Sequence, residues 1–257
     1  MLNAEGRREQ ILHTLQLQDK VHVSRLARRF GVSAVTIRGD LRTLADAGLL
    51  QRHHGGARPS AEMPAEAPLA ARHAVHRERK HDIAAIAVTL IQPGDKLILD
   101  AGSTTLQLAR RLAASGLAPL SVYTNSLPIA GELAAVAELE LILAGGTLRQ
   151  ASQSLQGAHA EASLGSYIFD KLFLGADGID AAFGLSTHDE AEARLNARMC
   201  AQARQVIVLA DGSKFGRTCL HRICGLERIA TIISDASLPA PMRSALSERG
   251  IPLLIAE

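Results

Sequence analysis

Seven short apolar runs recur through residues 96–257: "KLILDAG", "LSVYTNS", "LELILAGG", "KLFLGADGID", "QVIVLADGSKFG", "ATIISDA" and "PLLIAE". They alternate with helical stretches such as "TTLQLARRLAA" and "EAEARLNARMCAQA". Runs apolar on both faces need cover above and below, so this alternation predicts an α/β domain with a mostly parallel sheet between helices. In such sheets ligands bind at the carboxyl ends of the strands. Here those ends read Asp100-Ala101-Gly102-Ser103-Thr104-Thr105, Thr124-Asn125-Ser126, Gly145-Gly146, Asp177-Gly178 and Asp211-Gly212-Ser213-Lys214. Any one of them is an ordinary turn, because turns favour these residue types. Five on one sheet edge predict a common crevice.

The chemistry expected of that crevice follows from its residues. Gly102, Ser103, Thr104 and Thr105 open a helix, whose backbone N–H groups and hydroxyls suit a phosphate. Arg149 and Lys214 add positive charge. Asp100, Asp177, Asp180 and Glu190 would accept hydrogen bonds from sugar hydroxyls, and Thr124, Asn125, Gly145 and Gly146 complete the expected lining. Phosphate donors beside hydroxyl acceptors describe a phosphorylated sugar better than a nucleotide. The chain lacks G-x-G-x-x-G and G-x-x-x-x-G-K, and at 3% aromatic residues it has little with which to stack a base. An alternative stays open at this point: Asp177, Asp180 and Glu190 beside Lys214 could carry a proton between carbons, as in a sugar-phosphate isomerase or an aminosugar-phosphate deaminase.

Other classes are disfavoured. No apolar run approaches the roughly 18 residues that cross a bilayer, so no membrane partner is expected. The start "MLNAEGRREQ" lacks the apolar core of a secretory signal, which predicts a cytoplasmic protein. Cys200, Cys219 and Cys224 form no C-x-x-C pair and are expected to be reduced, mostly buried thiols. His53, His54, His73 and His76 form no H-x-x-x-H helix, and neither a metal nor a cofactor is expected.

Charge divides the chain. Residues 1–58 hold ten Lys and Arg against five acids, a net +5, whereas the remainder carries eighteen bases against twenty-one acids, a net −3. A basic head on a mildly acidic body suggests that the head meets a polyanion. Three helices are legible in that head. "EGRREQILHTLQL" places Ile11, Leu12 and Leu15 inward with its arginines on the other face. Ser24 is the expected N-cap of a short helix burying Leu26, Ala27 and Phe30. Gly31 then supplies a bend, and Ser33 caps a third helix that Gly48 is placed to stop. In "VSAVTIRGDLRTL", Ile37, Leu41 and Leu44 share one stripe, and Val35, Arg38, Gly39 and Arg42 fall opposite.

Two helices at a tight turn followed by the flap "LLQRHHGGAR" have the layout of a winged helix-turn-helix, whose second helix enters a major groove of double-stranded DNA. Arg38 and Arg42 would read guanine edges or clamp phosphates. Ser33 and Thr36 would contact phosphates, Ser24 is a further expected DNA contact, and Arg52, His53 and His54 on the flap would reach the backbone or the minor groove. Such heads usually meet repeated half-sites, so a homo-oligomer, dimer or tetramer, is expected. Residues 1–58 form this head. The interval 59–75, "PSAEMPAEAPLAARH" within it, has three prolines and no amphipathic period and reads as a linker, leaving 76–257 as the α/β domain.

The segment from "RREQILHTL" to "QRHHGGA", with "VS–TIR–DL–L" followed by "HGGA", resembles the N-terminal domain of the DeoR family of bacterial transcriptional regulators. The family usually has a second arginine where this chain has Gly39. The remainder is similar to the family's sugar-phosphate-sensing domain, which has a ribose-phosphate-isomerase-like fold; "GADGID" echoes an isomerase motif. "QSLQG", "GLSTHDEAEARLNARMC" and "SKFGRTCLHRI" look most like the subgroup controlling N-acetylgalactosamine and galactosamine use. The resemblance implies a DNA-binding regulator, most often a repressor, released by a sugar phosphate.

Overall fold

The computed structural model describes residues 4–17, 20–46, 49–58 and 69–257. The chain divides into two compact units, 1–76 and 77–257.

The first unit is built of α1 (Ala4–Leu17), β1 (Val21–His22), α2 (Val23–Phe30), α3 (Ala34–Asp46), β2 (Gln51–His53), β3 (Gly56–Arg58) and α4 (Leu69–Ala74). Its core gathers Ile11, Leu15, Val23, Leu26, Ile37, Leu41 and Leu44, so the apolar stripes of the three main helices converge. Gly31 ends α2 in the left-handed region at φ 64°, and Val32 N donates to the Ala27 carbonyl beyond it. β3 pairs antiparallel with both β2 and β1, which makes the wing. Gly56 is required there by close approach, because a Cβ would collide with the Val21 carbonyl of β1.

Three expectations change in this unit. α2 begins two residues early, with His22 in extended backbone before it, so Ser24 lies in the first turn and is not the cap. The arginines of α1 do not all face outward: Arg7 is buried and paired with Asp40 of α3. The expected linker holds the short helix α4, while its residues 59–68 lie outside the described residues, as does Gly48.

The second unit runs α5 (Arg77–Thr89), β4 (Lys96–Leu99), α6 (Ser103–Ser115), β5 (Leu120–Thr124), α7 (Leu127–Leu133) and β6 (Leu139–Leu143). Then come β7 (Thr147–Arg149), β8 (Ser154–Gln156), α8 (Ala158–Ser163), β9 (Phe169–Leu174), β10 (Gly178–Asp180) and β11 (Gly184–Thr187). It ends with α9 (Glu190–Gln202), β12 (Ala203–Leu209), β13 (His221–Cys224), β14 (Thr231–Asp235), α10 (Ala240–Glu248) and β15 (Leu253–Ala256). Seven strands form one sheet in the order β15-β14-β12-β9-β4-β5-β6, and every neighbouring pair is parallel. Alternate residues feed two cores. Ile98, Tyr123, Leu172, Val206 and Ile232 pack on one face, and Leu97, Leu99, Val122, Phe173, Ile207 and Ile233 on the other. The parallel sheet between two apolar layers is the arrangement the unbroken apolar runs require.

One run divides. "KLFLGADGID" is not a single strand: β9 ends at Leu174, and β10 joins β11 and β13 in a separate antiparallel sheet. The β7–β8 hairpin is a further antiparallel element. The glycines and short polar runs that make these pieces carry too little apolar periodicity to announce them in sequence.

Candidate DNA-reading surface and effector crevice

On the first unit, α3 presents two chemically different faces. Ile37, Asp40, Leu41 and Leu44 are buried, and Val35, Thr36, Arg38, Gly39 and Arg42 are exposed. Val35, an apolar side chain, is 73% exposed on the same face as Arg38 and Arg42. Ser33 Oγ accepts from Thr36 N at 3.1 Å, so Ser33 closes the open end of α3 as expected. Neither Arg38 nor Arg42 has a side-chain partner among the described residues, and both guanidiniums are available to an outside acceptor.

The back of α3 is anchored. Arg7 Nε donates to Asp40 Oδ2 at 2.7 Å, Arg7 Nη2 donates to Oδ1, and Arg8 Nε donates to Oδ1 at 3.1 Å. Arg52 and His54 are exposed on the wing, where His53 Nδ1 lies 3.0 Å from the His54 carbonyl. Ser24 is exposed on α2 beside Arg25 and Arg28, two further cations without a partner among the described residues, which attention to α3 alone passed over.

On the second unit, parallel pairing sends the carboxyl ends of β4, β5, β6, β9 and β12 to one sheet edge. The chain order reverses between β4 and β9: β5 and β6 lie on one side of β4, and β9, β12, β14 and β15 on the other. That reversal is the switch point at which open α/β sheets bind ligands. Asp100 follows β4 there, and its Oδ2 accepts from Gly175 N, just beyond β9, at 2.6 Å.

α6 starts beside this contact. Gly102 N and the Thr105 hydroxyl are bonded at 2.8 Å, and that hydroxyl also meets the carbonyls of Asp100 and Gly102. Thr105 is therefore spent on the helix start. Thr124 is spent likewise, donating to the Leu99 carbonyl at 2.7 Å. Ser103 and Thr104 are different: both are largely buried, and neither hydroxyl bonds a described residue. With the free N–H groups of the first turn of α6 they leave a set of donors at the switch point.

Around it, Asn125 donates through Nδ2 to the Leu155 carbonyl, and its buried Oδ1 has no partner among the described residues. Gly145 and Gly146 follow β6, with Gly146 at φ 112° against the Gln156 carbonyl. Lys214 Nζ lies 3.5 Å from Asp177 Oδ1. Arg149 Nε lies 3.3 Å from Asp189 Oδ2, and Arg149 Nη1 donates to Ser152 Oγ. Both expected cations thus meet carboxylates, and an incoming anion would compete with those partners.

Two of the expected acids make no hydrogen bond to the network around Asp177 among the described residues. Asp180 Oδ1 accepts from Ala182 N and Phe183 N, so that carboxylate organises the β10–β11 turn. Glu190, first residue of α9, is exposed. The acid in the network is Glu192: the Thr187 hydroxyl sits between Asp177 Oδ2 at 2.9 Å and Glu192 Oε1 at 3.0 Å. Asp189 caps α9 by accepting from Glu192 N at 2.9 Å. Thr187, Asp189, Glu192 and Gly175 are the members that the strand-end pattern missed. The pair Asp189 and Glu192, three apart before an apolar period, is a helix-start signature that would have found two of them.

The chain matches two family models, the DeoR-like helix-turn-helix domain over residues 7–62 and the DeoR C terminal sensor domain over residues 75–236. It is 42% identical to the putative aga operon transcriptional repressor of Escherichia coli O157:H7, over 97% of this chain and 93% of that one. It is 37% identical to the HTH-type transcriptional regulator GlpR of Haloferax volcanii, over 99% and 98%. It is 31% identical to the glycerol-3-phosphate regulon repressor of Escherichia coli strain K12, over 95% of each. These relatives are regulators, not enzymes. Among solved structures, ribose 5-phosphate isomerase A of Methanocaldococcus jannaschii aligns over 54% of each chain at 21% identity and a TM-score of 0.40. No helix among the described residues is long and apolar enough to cross a membrane. With sequence models matched along both of its units and relatives aligned over nearly its whole length, the chain belongs to the DeoR family of DNA-binding transcriptional regulators.

Proposed function

We propose that this regulator represses a sugar or aminosugar catabolic operon in the cytoplasm and is released from its operator by a phosphorylated sugar. The observation that carries the effector reading is the pair of unbonded hydroxyls, Ser103 and Thr104, at the N-terminus of α6 on the β4/β9 switch point. Hydroxyl and N–H donors at that helix start suit a phosphate, and Asp100 and Asp177 at neighbouring strand ends suit sugar hydroxyls, which supports this reading. One relative is named for a glycerol-3-phosphate regulon, which agrees with a small phosphorylated effector. The reader is the outer face of α3, where Arg38 and Arg42 make bidentate contacts to guanine edges or grip phosphates. Thr36 and Ser33 lie at its N-terminal end, and Arg52 and His54 extend the contact from the wing.

Release is linkage. A ligand that binds the DNA-incompetent arrangement more tightly draws the population away from the operator, by no more than its differential affinity. The active species is a homo-oligomer, because heads of this kind act on paired half-sites.

The test is a thermal-shift panel of phosphorylated hexoses and hexosamines on the purified protein, followed by operator gel shifts with whichever compound stabilises it. A compound that both raises the melting temperature and releases DNA is expected. If no phosphorylated sugar does either, the effector reading fails. Light scattering that finds a monomer with and without operator DNA would remove the paired-head part.

A further inference from the structure

We propose that Cys200 and Cys224 form a peroxide-oxidisable dithiol, a modification site on the second unit that takes a hydroperoxide as its oxidant. The two thiols stand 24 positions apart and share no C-x-x-C motif, yet folding brings their sulfurs to 3.9 Å, with Cys200 donating to Cys224. Cys200 lies near the end of α9, and Cys224 closes β13, where it pairs in register with Leu185 of β11. α9 packs directly on β13, so the pair bridges two elements already held together. A disulfide needs its sulfurs at ~2 Å, so the two must close by about 2 Å.

The two sulfurs differ in a way that assigns their roles. Cys224 is half-buried and Cys200 is buried, so an oxidant in solvent meets Cys224 first. The thiol hydrogen bond from Cys200 lowers the pKa of Cys224 below the ordinary thiol value, with Arg222 and Arg228 acting in the same direction against burial and Glu227. The same bond, with burial, raises the pKa of Cys200. Cys219 provides an internal control, since burial and then Asp177 raise its pKa and its sulfur faces His188 Nε2 at 3.6 Å.

The chemistry balances in two steps. The Cys224 thiolate attacks one oxygen of ROOH; an S–O bond forms as the O–O bond breaks, leaving a sulfenic acid at Cys224 and ROH after protonation. The Cys200 sulfur then attacks the Cys224 sulfur; the S–S bond forms, the S–O bond breaks, and hydroxide leaves with the Cys200 proton as water. Two thiols are oxidised by two electrons and one peroxide is reduced. The product closes residues 200–224 into a loop containing the Lys214 turn, and it ties α9, whose first turn holds Glu192 after its Asp189 cap, to the sheet carrying Thr187. The proposal does not depend on the identity of the effector.

The experiment uses the reduced full-length chain. It is treated with hydrogen peroxide, denatured, alkylated with N-ethylmaleimide and analysed by intact mass and peptide mapping. The expected product carries one alkylated thiol, Cys219, and a linked Cys200–Cys224 peptide that dithiothreitol reverses. Cys219→Ser is expected to give the same linked peptide, and Cys224→Ser none. Three alkylated thiols after peroxide would overturn the proposal. So would oxygen added at Cys219 with the other two unlinked, or a link between chains. The peptide map of the unmutated protein decides between these outcomes even where a variant fails to fold.

Discussion

Arg7 Nε donates to Asp40 Oδ2 at 2.7 Å, joining α1 to the inner face of α3 with both side chains almost out of solvent. Asp40 lies between Arg38 and Arg42 in sequence but turns the other way, with Ile37, Leu41 and Leu44. The ion pair therefore reinforces the rotation of α3 that the buried stripe Ile37, Leu41 and Leu44 already favours. Removing one member of a buried pair leaves the other charge uncompensated, which typically costs about 3–5 kcal/mol. Asp40→Asn is expected to destabilise the first unit by that order, seen as lost hydrogen-exchange protection in α1 and α3 while the seven-stranded sheet keeps its own. Unchanged protection would mean that apolar packing alone orients α3.

Arg38→Ala and Arg42→Ala are expected to leave the fold intact, since both side chains are exposed and have no partner among the described residues. A base-reading arginine should cost ~1–3 kcal/mol of operator binding and relax preference at one position, whereas a phosphate-gripping one should weaken all sequences alike and reduce the salt slope. Titrations against operator and scrambled duplex at two salt concentrations separate these outcomes. Wild-type binding in both variants would remove α3 as the reader.

Gly39 stands on the exposed face of α3, and a Cβ added there meets nothing within 4 Å. Gly39→Ala should therefore stabilise the head by about 1 kcal/mol through helix propensity. If the bare backbone at Gly39 approaches DNA closely, the same variant loses operator affinity while gaining stability. Thermal unfolding and gel shifts on one preparation show whether the two properties move in opposite directions.

Ser103→Ala and Lys214→Ala are expected to spare operator binding and blunt release by the effector. Ser103→Ala removes one unbonded hydroxyl at the start of α6, a change on the order of 1 kcal/mol in ligand affinity. Lys214 also pairs with Asp177 at 3.5 Å, so its loss takes a cation from beside that carboxylate and should weaken an anionic ligand further. Release curves at wild-type ligand concentrations in both variants would show that the crevice lies elsewhere.

Much of this molecule was legible from local pattern. Runs such as "KLILDAG" and "ATIISDA" cannot satisfy both faces except inside a parallel sheet, and the stripe Ile37, Leu41 and Leu44 needs only the helix period to put Arg38 and Arg42 outside. Turn chemistry at Gly31 and Ser33 is likewise local, because each residue satisfies its own backbone. Contacts between residues distant in the chain were decided by tertiary structure. Arg7 was expected on a solvated face, and only the packing of α1 on α3 shows that its charge is buried against Asp40. Thr105 and Thr124 looked like ligand hydroxyls until the strand ends supplied closer carbonyls. Glu192, not Glu190, bonds Thr187 because the rotation of α9 relative to β11 chooses which carboxylate reaches that hydroxyl. Cys200 and Cys224 became neighbours for the same reason. Periodicity tells a residue which side of its own element it occupies; it does not say what faces that side, which depends on how the elements close over one another.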